Sequence, residues 1–534
     1  MKIALIAPPY PLSEAPSPPL GISYVAATCI EAGAEVAVLD YIVSQYTPEK
    51  LHHDLDSFNP DIVGTNSVTM NFLTSISIIQ EAKRHNPELI TMMGGPHVSF
   101  DIEDTLHQYP ELDLIVAGEG EETLKELIPL IKDRKAWPGI TGIAFRDGEE
   151  IIITPSRPLI EDLDNLPLPA RHLLPLSRYA ALGFPVSIIT SRGCPNRCIF
   201  CLGRKMVGYK VRHRSPASVA EEIEHLLAYG VDRINVADDI FTASKKRVRA
   251  LCEEIIRRDL HFGWSAFSRV NTVDREILTI MRQAGCDGIS FGIESGNPEM
   301  LKRVKKGITL EQARNAVQYC KDVGIEPHAS FIVGLPGENH QTLRDTENFA
   351  EELEIEYGHH MLAPFPGTTV REEIDGYDLE ILTDNWDLYD ANQAIVRTSA
   401  LSAEEMNKFL ADFEKRRIDR WEGVKQRCRE GNCTPDEALH VEGVDRMNLI
   451  YKFLSEDVIC KAGSFSVDGH DPVTELASRV TPLTDHNYDS VHRTLGALAE
   501  KGYLAFEHTE NHVRWFWTHN NRVDHFAHNS SASH

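Results

Sequence analysis

The chain has 534 residues, of which 42% are apolar and 25% are charged, and its formal net charge is −26. This length allows several domains with separate cores, and the ordinary apolar fraction excludes a wholly disordered chain. The strong negative charge argues against nucleic acid as a partner, because a phosphate backbone requires a cationic surface.

Residues 1–9 hold an apolar run too short for a signal peptide, and no run of 18 apolar residues predicts a transmembrane segment. The ten cysteines show no disulfide-like spacing. We therefore expect a cytoplasmic protein in a reducing compartment.

Short apolar strands alternate with amphipathic helices in residues 1–137. The predicted strands span 3–7, 35–39, 61–65, 89–93 and 112–117. This alternation predicts an α/β domain with a Rossmann-like, doubly wound parallel sheet, whose ligands bind beyond the carboxyl ends of the strands. The candidate ligand-binding residues at those ends are Ser67, Thr69, Gly94, Gly95, Gly118 and Glu119.

Residues 138–185 are predicted to form a connector. A hairpin is expected over 141–154, with Asp147 and Gly148 in its turn. An extended strap without recognisable chemistry follows.

Three cysteines come directly after the next predicted strand, 186–190. Residues 192–201 read Arg-Gly-Cys-Pro-Asn-Arg-Cys-Ile-Phe-Cys, which places Cys194, Cys198 and Cys201 on one loop. Three thiolates can hold three irons of a cubane iron-sulfur cluster and leave the fourth iron open. The alternatives are a zinc site, for which the next candidate ligand is the distant His213, and three structural cysteines.

The cysteine spacing resembles the Cys-x3-Cys-x2-Cys signature of the radical S-adenosylmethionine (SAM) superfamily. The resemblance implies a [4Fe-4S] cluster with SAM on its open iron, inside a partial (β/α)6 TIM-like barrel over residues 186–370. Strands and helices alternate there, and the active sites of such barrels lie at the carboxyl ends of the strands. The N-terminal glycine and serine motifs similarly look like the cobalamin-binding domain found ahead of many radical SAM domains.

The same resemblance assigns SAM contacts to four strand ends. They are Asp238 and Asp239 near the SAM amino group, Arg269 at its carboxylate, Glu294 at its ribose, and Gly334 and Gly337 around its adenine. The aspartate pair equally suits a helix cap, and Arg269 a surface ion pair. The motif from Pro364 to Thr368 is expected to close the barrel.

Many cobalamin proteins supply a lower axial histidine after the first strand, but this chain has no histidine before His52. A bound cobalamin is therefore expected to lack a histidine ligand from that loop, and His97 is expected to form hydrogen bonds within its own loop. The alternative is a sheet that has kept the fold and lost the cofactor. The remaining cysteines do not cluster, which argues against an auxiliary iron-sulfur cluster.

Residues 371–436 predict a helical extension, and 437–520 predict a small winged-helix-like module. A charged helix over 402–426, with Phe409, Phe413 and Trp421 on one face, is expected to pack over the barrel mouth. Residues 441–520 contain 12 acidic and 7 basic side chains, too acidic a balance for a DNA-reading module. The tail, 521–534, is expected to be disordered.

The family resemblance implies a cobalamin-dependent methyltransferase that acts on an unactivated centre of a small molecule. In that mechanism SAM cleavage gives a 5′-deoxyadenosyl radical and methylcobalamin supplies the methyl group, with flavodoxin or ferredoxin as the electron donor. Two alternatives stay open. One is a non-methylating cyclase or rearrangement enzyme with the same cofactors, and the other is a sensor that signals through the winged-helix-like module.

Overall fold

The computed structural model describes residues 1–11, 14–466, 471–509 and 512–518, and the predicted tail lies outside these residues. The described residues form an α/β fold with two large sheets of mainly parallel strands and many helices. No helix in these ranges is long and apolar enough to cross a membrane.

The first sheet has seven strands in the order β2-β1-β3-β4-β5-β6-β7. Its strands are β1 (Lys2–Ala7), β2 (Glu35–Asp40), β3 (Ile62–Asn66), β4 (Ile90–Gly94), β5 (Leu114–Val116), β6 (Ile143–Asp147) and β7 (Glu150–Ile153). The helices are α1 (Leu20–Glu31), α2 (Pro48–Phe58), α3 (Phe72–His85), α4 (Pro96–Phe100), α5 (Ile102–Gln108) and α6 (Glu121–Leu127). All five strands predicted in residues 1–137 are present, and they pair in parallel.

Strand β1 shows why this sheet is covered on both faces. Ile3 and Leu5 pack in the core that contains α1, whereas Ala4 and Ile6 pack in the core that contains α3. Successive side chains of a strand point to opposite faces, so an uninterrupted apolar run requires helices on both sides.

The hairpin predicted in the connector is present and extends the first sheet. Strand β6 pairs antiparallel with β5 and with β7, and Gly148 in the turn has φ +64°. Residues 143–153 therefore continue the N-terminal sheet instead of standing apart from it. Helix α7 (Leu176–Leu182) follows.

The second sheet has six parallel strands in the order β15-β14-β13-β12-β11-β8. Its strands are β8 (Val186–Ile188), β11 (Arg233–Val236), β12 (Gly263–Ser268), β13 (Cys286–Glu294), β14 (Glu326–Val333) and β15 (Glu356–Met361), and a two-stranded ladder joins β9 (Ser191–Arg192) to β10 (Arg212–His213). The helices are α8 (Gly203–Val207), α9 (Pro216–Ala228), α10 (Lys245–Arg257), α11 (Arg275–Gln283), α12 (Pro298–Arg303), α13 (Leu310–Val323), α14 (His340–Glu352) and α15 (Thr369–Glu372).

The two faces of the second sheet differ in chemistry. Trp264, Phe291 and Phe331 are buried against the helices in one core. On the opposite face, which we call the inner face, Ser290 and Ser330 are only half-buried. The strands thus leave a polar, open surface on the side away from the helices.

The remaining elements are β16 (Glu380–Ile381), β17 (Val396–Arg397), α16 (Ala403–Arg429), α17 (Pro435–Ser455), α18 (Val458–Lys461), β18 (Ser464–Ser466), α19 (Pro472–Val480), α20 (Tyr488–Glu500), β19 (Leu504–Thr509) and β20 (His512–Trp517). Strands β18, β20 and β19 form an antiparallel sheet. The prediction that α16 covers the barrel mouth is wrong. Phe409 and Phe413 pack edge-on against His359, which is buried on the helix-covered side of β15.

The described residues between 435 and 518 form a separate core that docks on the first sheet and α7. Val43, Tyr179 and Leu182 belong to this core, and Lys50 Nζ lies 2.7 Å from Asp457 Oδ2. The expectation that the cysteines outside the triplet have no disulfide-like spacing is also wrong, because a disulfide joins Cys428, at the end of α16, to Cys433. The two residues are five positions apart, across the turn after a long helix.

Candidate active site

The loop that carries the three cysteines has a fixed backbone between β9 and β10. Gly193 has φ +111°, and a Cβ at this position would overlap the carbonyl oxygen of Lys210, so glycine is required. The Cys194 N–H donates to the Gly208 carbonyl oxygen at 3.0 Å. Asn196 Nδ2 lies 3.3 Å from Cys194 Sγ. The contacts with Lys210 and Gly208 therefore fix the backbone at both ends of the cluster loop.

The three thiols are close enough to influence one another. Burial raises the pKa of Cys201 to about 11, and the neighbouring Cys198 and Cys194 also raise it. Nevertheless, no three His, Cys, Asp or Glu side chains in the described ranges converge on a single-ion site. Three thiols on one loop can each bind a separate iron of one cluster, and coordination to a metal deprotonates a thiol despite its high pKa. Cys194, Cys198 and Cys201 therefore fit a cubane cluster.

Beside the cluster loop, Arg269, Lys306 and Glu294 form a chain of contacts. Arg269 Nη1 lies 3.5 Å from Cys198 Sγ, and its Nη2 donates to the Lys306 carbonyl oxygen. Lys306 Nζ lies 2.6 Å from Glu294 Oε1, with the two side chains only 6% and 9% exposed. Buried Arg269 Nε finds no acceptor among the described residues. Through Lys306, the structure thus links Arg269 to Glu294 beside the cluster loop.

Glu294 has a strained backbone at the end of β13. Its φ is +74°, which is rare for a residue with a Cβ. The pairing of β13 with β14 also shifts between Gly292 and Glu294, as in a β-bulge. A Cβ on Gly292 would lie 2.5 Å from Glu294 Oε1. The bulge and the glycine together turn the carboxylate toward Lys306.

Asp238 holds the segment that leads into the cluster loop. Its carboxylate accepts four hydrogen bonds, from the N–H and hydroxyl groups of Thr190 and Ser191, at 2.5–3.0 Å. These bonds fix the two residues before Arg192. A contact with SAM stays a prediction for Asp238.

Asp239 supports the loop itself. Its Oδ2 accepts the Gly193 N–H at 3.2 Å, and burial raises its pKa. The helix-cap alternative for the aspartate pair is wrong, because α10 is capped by the Ser244 side chain. Asp239 therefore lies beside the cluster loop, and its role toward SAM stays a prediction.

A buried acid supports the loop around the predicted adenine-binding glycines. Gly334, with φ +90°, donates its N–H to Glu338 Oε2 at 2.6 Å. A Cβ on Gly337, with φ +71°, would overlap Arg303 Nη1, which donates to the Gly337 carbonyl oxygen at 2.8 Å. Glu338 is fully buried, and this burial raises its pKa to about 8. Hydrogen bonds to Glu338 at one end and from Arg303 at the other therefore fix the backbone of this loop.

Four of the predicted cobalamin-binding residues meet at one edge of the first sheet. The Ser67 N–H donates to the Gly94 carbonyl oxygen at 2.8 Å. Gly95 has φ +107°, and a Cβ there would overlap the Ser67 carbonyl oxygen. Thr69 Oγ1 lies 3.2 Å from Nδ1 of buried His97. His97 thus makes a hydrogen bond within this group of loops, as expected, and Gly95 allows the loops to approach one another at the carboxyl ends of the strands, where such sheets bind their ligands.

Gly118 and Glu119 follow β5 at the same edge. Gly118 has φ +75° and donates its N–H to Ser99 Oγ at 3.0 Å. The Glu119 carboxylate instead accepts hydrogen bonds from Arg192 and Arg212 of the β9–β10 ladder. Its side chain therefore joins the two sheets, and a contact of Glu119 with cobalamin stays a prediction.

Gly367, in the motif predicted to close the barrel, lies where the two edges meet. A Cβ there would overlap the Phe100 ring of α4 and lie 2.9 Å from Leu202 Cδ1, next to Cys201. Trp386 also reaches the first sheet, with its ring 5.0 Å from the His97 ring. The predicted cobalamin edge therefore lies next to the cluster loop, with Gly367 packed between them.

Sequence reasoning missed Lys306, Glu121, Arg192 and Arg212. Lys306 follows Lys305 in a charged run, a pattern typical of a solvated surface. Glu121 and the two arginines carry no local signal either, because their partners lie on another domain. The one exception is the position of Arg192, two residues before Cys194, which places it near the cluster loop.

Two family models match the chain, the radical SAM superfamily over residues 188–350 and the B12 binding domain over residues 13–128. An uncharacterized methyltransferase of Pyrococcus horikoshii is 35% identical over 418 residues, which cover 77% of this chain and 91% of that protein. The chain belongs to the cobalamin-binding radical SAM family. The protein is therefore a radical SAM enzyme, and the prediction of its three cofactors, a [4Fe-4S] cluster, SAM and cobalamin, is confirmed.

Other proteins are also similar to this radical SAM enzyme. An anaerobic magnesium-protoporphyrin IX monomethyl ester cyclase of Rubrivivax gelatinosus is 30% identical over 412 residues, covering 74% of this chain and 73% of that protein. The solved structure of the cobalamin-dependent SAM radical enzyme OxsB, with aqua-cobalamin and SAM bound, has a TM-score of 0.66 at 18% identity and covers 94% of this chain and 84% of that one. This last likeness shows the fold alone.

Proposed function

We propose that the protein is a cobalamin-dependent radical SAM methyltransferase that acts on an unactivated centre of a small molecule. When bound, the cofactors supply a carbon-centred radical and a transferable methyl group. The observation that carries the proposal is the position of Gly367, between Phe100 of the cobalamin edge and Leu202 of the cluster loop. This close packing brings the cobalamin edge next to the cluster loop, so a substrate bound between the two cofactors is near both of them, as methylation at an unactivated centre requires.

The residues around the cluster loop suit the binding of SAM. The guanidinium of Arg269, whose buried Nε has no acceptor among the described residues, matches a carboxylate. Glu294 engages Lys306 through Oε1, while its Oε2 makes no hydrogen bond to the described residues and can accept one from a ribose hydroxyl. The rigid loop from Gly334 to Glu338 offers a surface for the adenine. These side chains bind and orient the cofactor, and their burial excludes water.

The inner face of the second sheet supports a compact polar substrate. Ser290, Ser330 and His328 line this face, half-buried and without hydrogen-bond partners among the described residues. Phe267 lies beside them with 47% of its surface exposed. Hydroxyl and imidazole groups next to one exposed ring suit a small molecule with hydrogen-bonding groups and one apolar face.

A second candidate is a non-methylating oxidative cyclase, which the identity to the Rubrivivax cyclase favours. Both candidates use SAM for the radical, but only a methyltransferase also uses SAM as the methyl source. The sensor alternative receives less support, because residues 435–518 use an apolar face to dock on the enzyme itself.

Methyl transfer is tested with SAM labelled on its methyl group. We expect reduced, cobalamin-loaded protein to release S-adenosylhomocysteine and to carry the label in its corrinoid fraction, before any substrate is known. The cofactor-free protein serves as the control. Release of 5′-deoxyadenosine without S-adenosylhomocysteine or labelled corrinoid would favour the cyclase.

We also propose that the second sheet is a partial (β/α)6 barrel and that residues 437–520 form a winged-helix-like module. Six parallel strands support the first assignment, and the succession of two helices, a strand, two helices and two strands supports the second. The domain limits expected from the sequence, a cytoplasmic location, a flavodoxin or ferredoxin as electron donor, and the absence of a nucleic-acid partner belong to the same proposal.

A further inference from the structure

Two glutamates of the first sheet reach the strands that bracket the cluster loop. Arg212 Nη1 and Nη2 each lie 2.8 Å from the Glu119 carboxylate, on Oε2 and Oε1. Arg192 Nη2 lies 2.6 Å from Glu121 Oε1, and its Nη1 lies 3.3 Å from Glu119 Oε1. We call these four residues the clamp. Its glutamates follow β5, and its arginines belong to β9 and β10.

The clamp is buried, which makes its geometry specific. Its four side chains are between 5% and 11% exposed. Burial alone would raise the pKa of Glu119, yet the guanidinium groups of Arg212 and Arg192 hold it below its ordinary value. Forked arginine–carboxylate contacts in a low dielectric fix both distance and orientation.

On one side, the clamp is continuous with the cluster loop. Arg192 directly precedes Gly193 and Cys194. Arg212 Nη2 donates to the Val207 carbonyl oxygen at 2.8 Å, and the next carbonyl, that of Gly208, accepts the Cys194 N–H. The arginines thus hold both ends of the loop that carries the thiols.

On the other side, the clamp is continuous with the cobalamin edge. Glu119 directly follows Gly118, whose N–H donates to Ser99 Oγ of α4. That helix begins directly after Gly95. A shift of these loops on cobalamin binding therefore moves the glutamates that hold the cluster loop.

We propose that the clamp couples the two cofactor sites, so that a correctly seated cluster strengthens cobalamin binding and the reverse. The two loops share one buried set of ion pairs, and ordering one of them orders the other. This inference rests on the two cofactors of the proposed function but not on methyl transfer. Glu119 and Arg212 act here as positioning residues, since the contacts between them hold the cluster loop.

The test measures the affinity of the full-length protein for hydroxocobalamin, with and without its reconstituted cluster. For the wild type, we expect the cluster to lower the Kd at least fivefold, the low end of typical coupling between sites. The Glu119→Gln side chain keeps its shape but loses its charge. In this variant, the ratio of the Kd without the cluster to the Kd with it should fall below about twofold. The midpoint potential of the cluster should likewise shift on cobalamin binding in the wild type and not in the variant. A merely structural role would change the absolute Kd values but not their ratio.

Glu126→Gln is the matched control, because Glu126 pairs with Arg157 on the same domain, away from the cluster loop. Its ratio should equal that of the wild type. Arg212→Lys keeps the positive charge but loses the two parallel hydrogen bonds to Glu119, so it should also lose the coupling. This variant tests the proposal if Glu119→Gln does not fold. Equal Kd values in the wild type with and without the cluster, or an unchanged ratio in Glu119→Gln and Arg212→Lys, would overturn the clamp alone. Failure of the wild type to bind either cofactor would overturn both this inference and the proposed function.

Discussion

Lys306 and Glu294 depend on each other, because each neutralises a charge that would otherwise be buried alone. Removing one partner of such a pair costs about 3–5 kcal/mol, whereas removing both costs much less. We therefore expect Lys306→Met to lower the thermal midpoint of the cofactor-free protein and to weaken SAM binding. Differential scanning calorimetry and equilibrium binding of SAM measure the two effects.

Lys302→Met provides the control for this change, since Lys302 is exposed on the adjoining helix α12. It should leave both values near those of the wild type. In the double variant Lys306→Met/Glu294→Gln, much of the lost stability should return, because no unpaired charge remains buried. A double variant less stable than Lys306→Met would contradict the ion-pair explanation.

Glu338 makes stability depend on pH through its burial. Its pKa is raised from 4.5 to about 8, so between these values the unfolded chain has lost a proton that the folded chain keeps. The contribution of Glu338 to stability is fully present below the lower value. It falls by about 1.4 kcal/mol per pH unit within the window and levels off above the higher one.

Glu338→Gln is neutral at every pH and should lack this loss. Urea unfolding of the wild type and the variant at several pH values between those limits isolates the contribution as their difference. As pH rises, we expect the free energy of unfolding of the variant to increase relative to that of the wild type. Parallel pH profiles would show that Glu338 does not stay protonated in the folded protein.

Single residues also show where sequence reasoning stops. The spacing of the cysteine triplet indicates its chemistry, and Arg269 and Glu294 lie at strand ends, where a buried charge needs a partner. Lys306 has no comparable local pattern, because its pairing depends on the bulge that turns Glu294. The glycine beside Glu119 predicts that this residue lies at the carboxyl edge of the first sheet, where the structure places it. Its arginine partners could not be predicted, because they lie more than 70 positions away along the chain.

Among the structural elements, the cluster loop depends most on its backbone. Gly193→Ala forces a Cβ onto the Lys210 carbonyl oxygen at φ +111°, so the loop must shift where Cys194 begins. We expect the anaerobically reconstituted variant to lose most of its iron while the chain stays folded. Iron and sulfide per chain, with circular dichroism for folding, measure this outcome.

Gly183→Ala is the matched control, because Gly183 also has a positive φ, of +76°, but has open space around its Cβ position. It carries a similar backbone strain, of order 1 kcal/mol, without the clash. Full iron content in both variants would mean that the close approach to Lys210 does not hold the loop.

The elements that could be predicted are those whose own residues determine them. Strand β1 is apolar throughout because it is buried on both faces, and the hairpin turn at Gly148 is set by local backbone geometry. The place of α16 could not be read in this way. The apolar face with Phe409 and Phe413 predicts that this side of the helix is buried, but it does not identify the surface that covers it. In the structure that surface is the side of β15. The disulfide between Cys428 and Cys433 depends in the same way on how the chain turns after α16.

For the molecule as a whole, the docking of the C-terminal core on the first sheet and α7 determines its stability. Val43, Tyr179 and Leu182 are buried in this contact, and exposing one leucine side chain alone costs about 1.5–3 kcal/mol. A chain that ends at Thr434 should therefore unfold at a lower temperature. Its iron and corrinoid content should nevertheless match the full-length protein, because the cysteine loop and the cobalamin edge lie in elements that this truncation leaves intact.

A chain that ends at Thr518 provides the control, since it removes only residues outside the described structure. Its thermal midpoint and cofactor content should equal those of the full-length protein. Thermal unfolding of the three proteins, with iron and corrinoid measured on the same samples, separates docking from cofactor binding. If the chain ending at Thr434 loses corrinoid while its iron stays constant, the C-terminal core supports the cobalamin edge through β2 and α7, and its role then extends beyond stability.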